Sequence, residues 1–431
     1  MEIILLFVVL FAIFAWWADS RQARAHANPA RETPSGLSRP PGVFFYLGAD
    51  EEAARRAPSF SREMAGLPGG LAQIESALRA GIPVLVWGPP GVGKTAAILS
   101  LGRRLGLPVE VVIASIREPT DFSGLPTIRP GGVTFEPPSW ARRLAEAGRG
   151  ILFLDELSTT PPAVQAALLR VVFERTVGDL PLPREVSIIA AANPPEQASG
   201  GWDLTPPLAN RFCHIPWKLE PAEWAAEFPG YWEGPPGIPG LDPLIWARSR
   251  ALVAGFIRSR PDLLLQVPKD LEHQGRAWPS PRSWDHASRA VAAVFQAGGG
   301  IEDAADLVIG CVGEGAGLEF IAWARETDLP DPEGLLAAPE SFVLPERGDR
   351  RFAVLSAVAA AAAANLTKER WSAAWQILGR AAEAGAADVA ATAARTLAQA
   401  RSRRPDLPLP REIGTFVPLL REAGLLLGGT R

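Results

Sequence analysis

Across residues 70–220, apolar runs of strand length alternate with stretches of helical spacing. The runs "PVLVWG", "LPVEVVIAS", "GILFLDE", "EVSIIAAAN" and "FCHIPW" are nearly continuous in apolar residues, the pattern of strands buried on both faces. Between and before them the period lengthens. Leu71, Ile74 and Leu78 share one helical face in "LAQIESALRAG", which Gly81 ends. Val164, Leu168, Val171 and Val172 share another in "PPAVQAALLRVVFE", whose paired prolines can start a helix. Strands alternating with helices predict an α/β fold with a parallel sheet covered on both sides.

After about Trp217 the strand pattern fades and helices dominate, interrupted by "FPGYWEGPPGIPG". "RFAVLSAVAAAAAAN", "KERWSAAWQILGRAAEAG" and "ADVAATAARTLAQARSRR" predict three helices; in the second, Trp371, Trp375 and Leu378 fall at i, i+4 and i+7 and read as packing core. The alanine run is helix-forming composition. Residues 18–60, with "NPARETPSGLSRPPG", read as a Pro- and Arg-rich linker. Ahead of it, residues 1–17 contain the uncharged stretch "IILLFVVLFAIFAWW", near the lower length limit for crossing a bilayer. A membrane anchor, a cleaved signal ending at "AHA" and a simple extension all fit. As an anchor, with Arg21 and Arg24 on its far side, it would tether the remaining chain to the cytoplasmic face. The expected divisions are therefore the segment 1–17, the linker 18–60, an α/β nucleotide-binding core at 61–220, a helical lid at 221–345 and further helices at 346–431.

Composition narrows the function classes. At 431 residues the chain exceeds one ordinary core, and a net charge of −4 offers no field for a polyanion, which counts against nucleic acid as a partner. Cys213 and Cys311 lack the spacing of a zinc site or a disulfide framework and fit a reducing, cytoplasmic compartment. Almost every basic residue is arginine. Lys94, Lys218, Lys269 and Lys368 are the only lysines, and the first of these closes a glycine-rich loop, where a compact ammonium differs chemically from a guanidinium.

That loop, "GPPGVGKT", runs through Gly88, Pro89, Pro90, Gly91, Val92, Gly93, Lys94 and Thr95 and fits G-x-x-x-x-G-K-[ST] between a strand and a helix. Backbone N–H groups and a helix N-terminus there can cradle β- and γ-phosphates, Lys94 adds charge, and Thr95 can ligate Mg²⁺. Placed 61 residues after Lys94, the strand "ILFLDE" ends in Asp155, a second oxygen ligand for the metal, and Glu156, which can deprotonate an attacking water. "DFSG", Asp121 to Gly124, fits the D-x-x-G of GTPases, but no strand precedes it and no N-K-x-D follows. The acid pair points to ATP hydrolysis instead.

With these two motifs in place, the order of the remaining ones carries a resemblance. "GPPGVGKT", "ILFLDE", "VSIIAAANP" with Asn193, "LANRF" with Arg211 and "SPRSW" with Arg282 follow the order of the AAA+ ATPases and, within them, the MoxR family. The resemblance covers roughly Met64 to Arg289. It implies that Asn193 positions the water or the γ-phosphate, that Arg211 is an arginine finger reaching a neighbour's nucleotide, and that Arg282 touches the γ-phosphate from the lid. It further implies a P-loop AAA+ core, ATP and Mg²⁺, a hexameric homo-oligomeric ring, and chaperone-like work on a protein client, often with a von Willebrand factor A domain partner. "LPTIRPGGVTFEPP" and "RTVGDLPLPREV" look like the hairpin insertions of that family, which face the ring pore or a partner; by their residues alone they are surface hairpins. A nucleic-acid translocase and a nucleotide-gated scaffold that does not turn over are the alternative functions. The N-terminal apolar segment and the region after Val343 fall outside the resemblance.

Overall fold

The chain's apolar runs become strands that meet in one sheet and two small hairpins. In the computed structural model, which describes residues 70–197, 202–229, 240–327, 329–401, 404–422 and 425, these are β1 (Val84–Trp87), β2 (Val109–Ile113), β3 (Leu125–Arg129), β4 (Gly132–Glu136), β5 (Arg149–Asp155), β6 (Thr176–Val177), β7 (Leu180–Pro181), β8 (Glu185–Ala192) and β9 (Cys213–Pro216). The apolar segment 1–17 and the linker 18–60 lie outside the described residues. Among the described residues no helix is long and apolar enough to cross a membrane.

The main sheet is parallel throughout, in the order β2-β5-β8-β1-β9. Alternate residues of each strand point to opposite faces, so each run feeds two cores. Ile151 and Phe153 of β5 join Val84, Val86 and Ile189 beneath α1 (Leu71–Arg79) and α2 (Lys94–Leu105). Leu152 and Leu154 join Leu85, Ile188 and Ala190 on the other face, under α3 (Ser139–Ala147) and α4 (Pro162–Glu174). Because every strand runs the same way, the carboxyl ends of β1, β5 and β8 emerge side by side on one edge of the sheet. Ligands of open α/β sheets bind beyond that edge.

Both stretches expected as hairpins pair antiparallel, β3 with β4 and β6 with β7. They brace each other: Asp179 N donates to the Phe135 carbonyl at 2.9 Å and Asp179 Oδ2 accepts from Phe135 N at 2.8 Å. Ile128, at the tip, is 88% exposed and pairs across the hairpin with exposed Val133.

The short α5 (Pro206–Ala209) precedes β9, and the rest is helical: α6 (Pro221–Glu227), α7 (Pro243–Ser259), α8 (Pro281–Gln296), α9 (Ala305–Val312), α10 (Glu314–Glu326), α11 (Gly348–Ala364), α12 (Lys368–Ala381) and α13 (Ala387–Ala400). Buried residues from 221 to 420 form a single core that runs across residue 345 without a break. Phe256, Trp284, Phe320 and Trp323 pack ring against ring at centroid distances of 5.3 to 5.7 Å. Trp371 and Trp375 are fully buried, at 5.5 Å from each other. The alanine run of α11 has a packing role as well as a helix-forming one, with Ala359, Ala361 and Ala362 buried in this core. Ahead of that run, Gly255 of α7 sits so close to α11 that an added Cβ would lie 2.8 Å from Ala353 Cβ, an approach only small residues allow.

Candidate functional site

The loop between β1 and α2 is shaped by glycines at left-handed backbone angles. Gly91 (φ 78°) and Gly93 (φ 86°) hold conformations that a side chain would strain, and Gly93 delivers the free N–H groups of the α2 N-terminus into the turn. Trp217, just after β9, supports the loop from behind: its indole Nε1 donates to the Val92 carbonyl at 3.3 Å, and its Cβ lies 3.0 Å from where a Gly88 Cβ would be.

Lys94 points back into this loop. Its Nζ donates to the carbonyls of Gly88 (2.6 Å) and Pro89 (2.9 Å) and to Asn193 Oδ1 (2.9 Å), and the residue is 8% exposed. None of these acceptors is charged. Burial pulls the ammonium down to about 8, with Asp155 and Glu156 pulling up and Arg282 pulling down. A buried cation whose direct contacts are all neutral is under-compensated, and an anion in the adjoining cavity completes it.

The neighbouring strand ends supply the other groups. Thr95 Oγ1 donates to Asp155 Oδ2 at 2.7 Å, bringing a hydroxyl and a carboxylate together at the end of β5. Hard oxygen donors of this kind, with room for waters, suit Mg²⁺, so the residues present fit that ion. Glu156 follows in a left-handed conformation (φ 56°) that is uncommon outside glycine and turns its carboxylate out of the strand line. Its Oε2 accepts from Ser115 Oγ at 3.0 Å. Asn193 is fixed in turn by its backbone N–H, which donates to buried Ser158 Oγ at 3.1 Å.

These groups line one cavity of about 500 Å³, within the range of small-molecule sites. Pro90 to Thr95, Asp155, Glu156 and Asn193 form its sheet-side wall, and Pro281, Arg282 and Asp285 of α8 close it from the helical side. The helix α8 starts where the sequence places it, after Pro281, with Ser280 and Ser283 capping each other reciprocally. Arg282 N donates to the Gly91 carbonyl at 3.1 Å, so the first turn of the lid rests on the phosphate loop itself. Gly88 and Pro89 act through their carbonyls on Lys94 and are absent from the cavity wall.

Arg211 stands apart. It lies outside the cavity, its guanidinium carbon 4.9 Å from the ring centroid of Phe173 and its Nη1 bonded to the Pro207 carbonyl. Phe173 is itself 69% exposed. Asp121 of "DFSG" is also remote, its Oδ2 accepting from the backbone of Glu118, three residues earlier, at 3.1 Å. The sequence reading missed Ser115, Ser158, Trp217 and Asp285. A serine or an acid on a helix carries no local signal of what it will face, and only the tryptophan, directly after an apolar strand, was marked at all.

Comparison with known proteins agrees with this geometry. Residues 83–212 match the family model of the AAA domain (dynein-related subfamily). ATPase family gene 2 protein homolog B of Homo sapiens is 31% identical over 189 residues, 40% of this chain and 22% of that protein. The Nif-specific regulatory protein of Rhodobacter capsulatus is 32% identical over 160 residues, 35% of this chain and 28% of that one. The chain thus spans about a quarter of the length of these curated relatives. Among solved structures, NtrX from Brucella abortus aligns at a TM-score of 0.28 and 17% identity over 64% of this chain and 72% of its own. Taken with the parallel sheet and its phosphate loop, the match identifies residues 83–212 as a nucleotide-binding AAA domain on a P-loop AAA+ core.

Proposed function

We propose that the chain is an Mg²⁺-dependent ATPase of MoxR type that works as a closed ring of six copies and remodels, matures or activates a partner protein. The observation that carries the reading is the convergence on one cavity of Lys94, the Thr95–Asp155 pair and Glu156. Lys94 and the loop amides hold the phosphates. Thr95 and Asp155 would hold Mg²⁺, which would supply positive charge to neutralise the phosphates. Glu156 takes the proton of the attacking water, and Asn193, anchored to Ser158, orients that water or the γ-phosphate. Arg282 meets the γ-phosphate from the lid.

Arg211 supports the ring. A cation held on an exposed phenyl ring outside its own cavity is available to a neighbouring copy, and a head-to-tail contact that closes generates a ring. The client and a von Willebrand factor A domain partner follow from the likeness of the motif order to MoxR ATPases.

The test is Glu156→Gln. Phosphate release is expected to fall by about 10²–10⁴-fold while ATP binding, followed by a fluorescent analogue, stays intact. Equal turnover by variant and wild type would remove Glu156 from the chemistry. A wild type that binds ATP yet releases no phosphate would leave only a nucleotide-gated scaffold.

A further inference from the structure

Arg282 and Asp285 lie about one turn apart on α8 and line the same cavity with opposite charges. Their electrostatic surroundings differ. Arg282 rests on the phosphate loop through its backbone bond to Gly91, whereas Asp285, a turn further along α8, is ion-paired to Arg289. The wall contributed by α2, by α6 and by the residue just after it carries Trp224 and Phe228, stacked at 4.3 Å, with Leu99 and a single cation, Arg103. A carboxylate beside a polyphosphate repels it, so the anionic part of a nucleotide belongs with Lys94 and Arg282. The end of the cavity that carries Asp285 takes the uncharged part.

We propose that Asp285 is a specificity-determining residue that accepts a hydrogen bond from the nucleoside, an O–H of the sugar or an N–H of the base, while Trp224, Phe228 and Leu99 form the apolar wall beside it. The inference rests on the nucleotide reading above. The carboxylate is held for this role. Arg289 Nη2 lies 2.5 Å from Asp285 Oδ2, and Arg289 and Arg250 flank the Trp246 ring at 5.4 and 4.6 Å. Trp246 Nε1 donates to Ser288 Oγ at 3.3 Å, and Ser288 Oγ donates back to the Asp285 carbonyl at 2.7 Å. Burial raises the Asp285 carboxyl, and Arg289, with His286 and Arg250 behind it, pulls the other way and favours the ionised acceptor. The Asp285 side chain keeps 24% of its surface exposed, which leaves it room to meet a ligand.

The experiment titrates the full chain, with Mg²⁺, with ATP, 2′-deoxy-ATP, 3′-deoxy-ATP, inosine triphosphate and inorganic tripolyphosphate. Asp285→Asn is expected to bind ATP about tenfold more weakly than wild type and tripolyphosphate equally well. Wild type is expected to reject one of the nucleoside analogues by a similar factor, and the variant to lose that preference. Rejection of a deoxy analogue assigns the sugar, and rejection of inosine assigns the base amine. Arg289→Gln, which breaks the same ion pair but leaves the accepting oxygen in place, should bind ATP more weakly by less than about tenfold and keep the direction of the preference. The proposal is overturned if both variants lose ATP affinity equally, if tripolyphosphate weakens in step with ATP, or if wild type prefers none of the nucleotides. A wild type that binds neither ATP nor tripolyphosphate overturns the nucleotide reading itself, and this assignment with it.

Discussion

The two walls of the cavity are held in different ways. On the sheet side, Lys94, Thr95, Asp155 and Asn193 come from three adjacent strand ends and are bonded directly to one another, Lys94 to Asn193 and Thr95 to Asp155. Their spacing follows from the parallel ladder, in which Trp87 lies opposite Ala192 and Leu154 opposite Ala190. On the lid side, Arg282 and Asp285 ride on a helix whose core belongs to the C-terminal half and which meets the loop at Gly91. The sheet side is fixed as soon as the core folds. The lid side touches the loop through the backbone bond from Arg282 to Gly91, and under the proposed function this contact is where nucleotide state is expected to be felt.

The comparison can be broken most sharply at Arg211, which belongs to neither wall. Arg211→Ala should lower turnover by about 10³-fold or more while ATP affinity stays near that of wild type. Mixing it with Lys94→Ala subunits, which keep Arg211 but cannot cradle phosphate, should restore part of the activity. A parallel loss of affinity, with no recovery on mixing, would return Arg211 to its own subunit's site.

A smaller effect is expected where the walls touch. Gly91→Ala would require a side chain at φ 78° and a Cβ 2.9 Å from Ser280 Oγ. A strain of about 1–2 kcal/mol should weaken ATP binding by roughly tenfold. Hydrogen exchange should quicken in the first turns of α8 and stay slow in β5. Equal loosening of β5 would mean that the two walls form one unit.

The smallest effect belongs to the sheet wall alone. With burial holding the Lys94 ammonium at about 8, the cation is intact below that pH and is lost above it, before nucleotide arrives. Binding a polyanion favours the protonated form, so each binding event above pH 8 must also take up a proton. ATP affinity should be level from pH 6.5 to 7.5 and then weaken, by up to about tenfold per pH unit, above 8. Lys94→Arg, charged throughout, should bind more weakly and lose that slope. A slope surviving in the variant would assign the titration elsewhere.

How much of this could be read from the chain depends on the range of each signal. The strands were legible because burial on both faces leaves continuous apolar runs such as "ILFLD". The phosphate loop was legible because its glycines and lysine answer to local backbone geometry. Asn193 was ambiguous in the sequence, where a capped turn explains it equally well. Its meeting with Lys94 depends on β8 lying between β5 and β1, a long-range arrangement with no local imprint. Ser115 and Asp285 were silent for the same reason. Residues on both sides of 345 share one core, and the close approach of α7 to α11 rests on Gly255 and Ala353, small residues that carry no signal of a long-range contact in the sequence.

That close contact bears on how force would travel. Interfaces built of long side chains can slip by changing rotamers, but at Gly255 and Ala353 the two helices meet almost backbone on backbone, with the Trp323 ring beside them. At that point neither helix can shift without moving the other's backbone. If the proposed ATPase moves α8 at Ser280 and Arg282, this close contact is where α7 is expected to carry that tilt into α11.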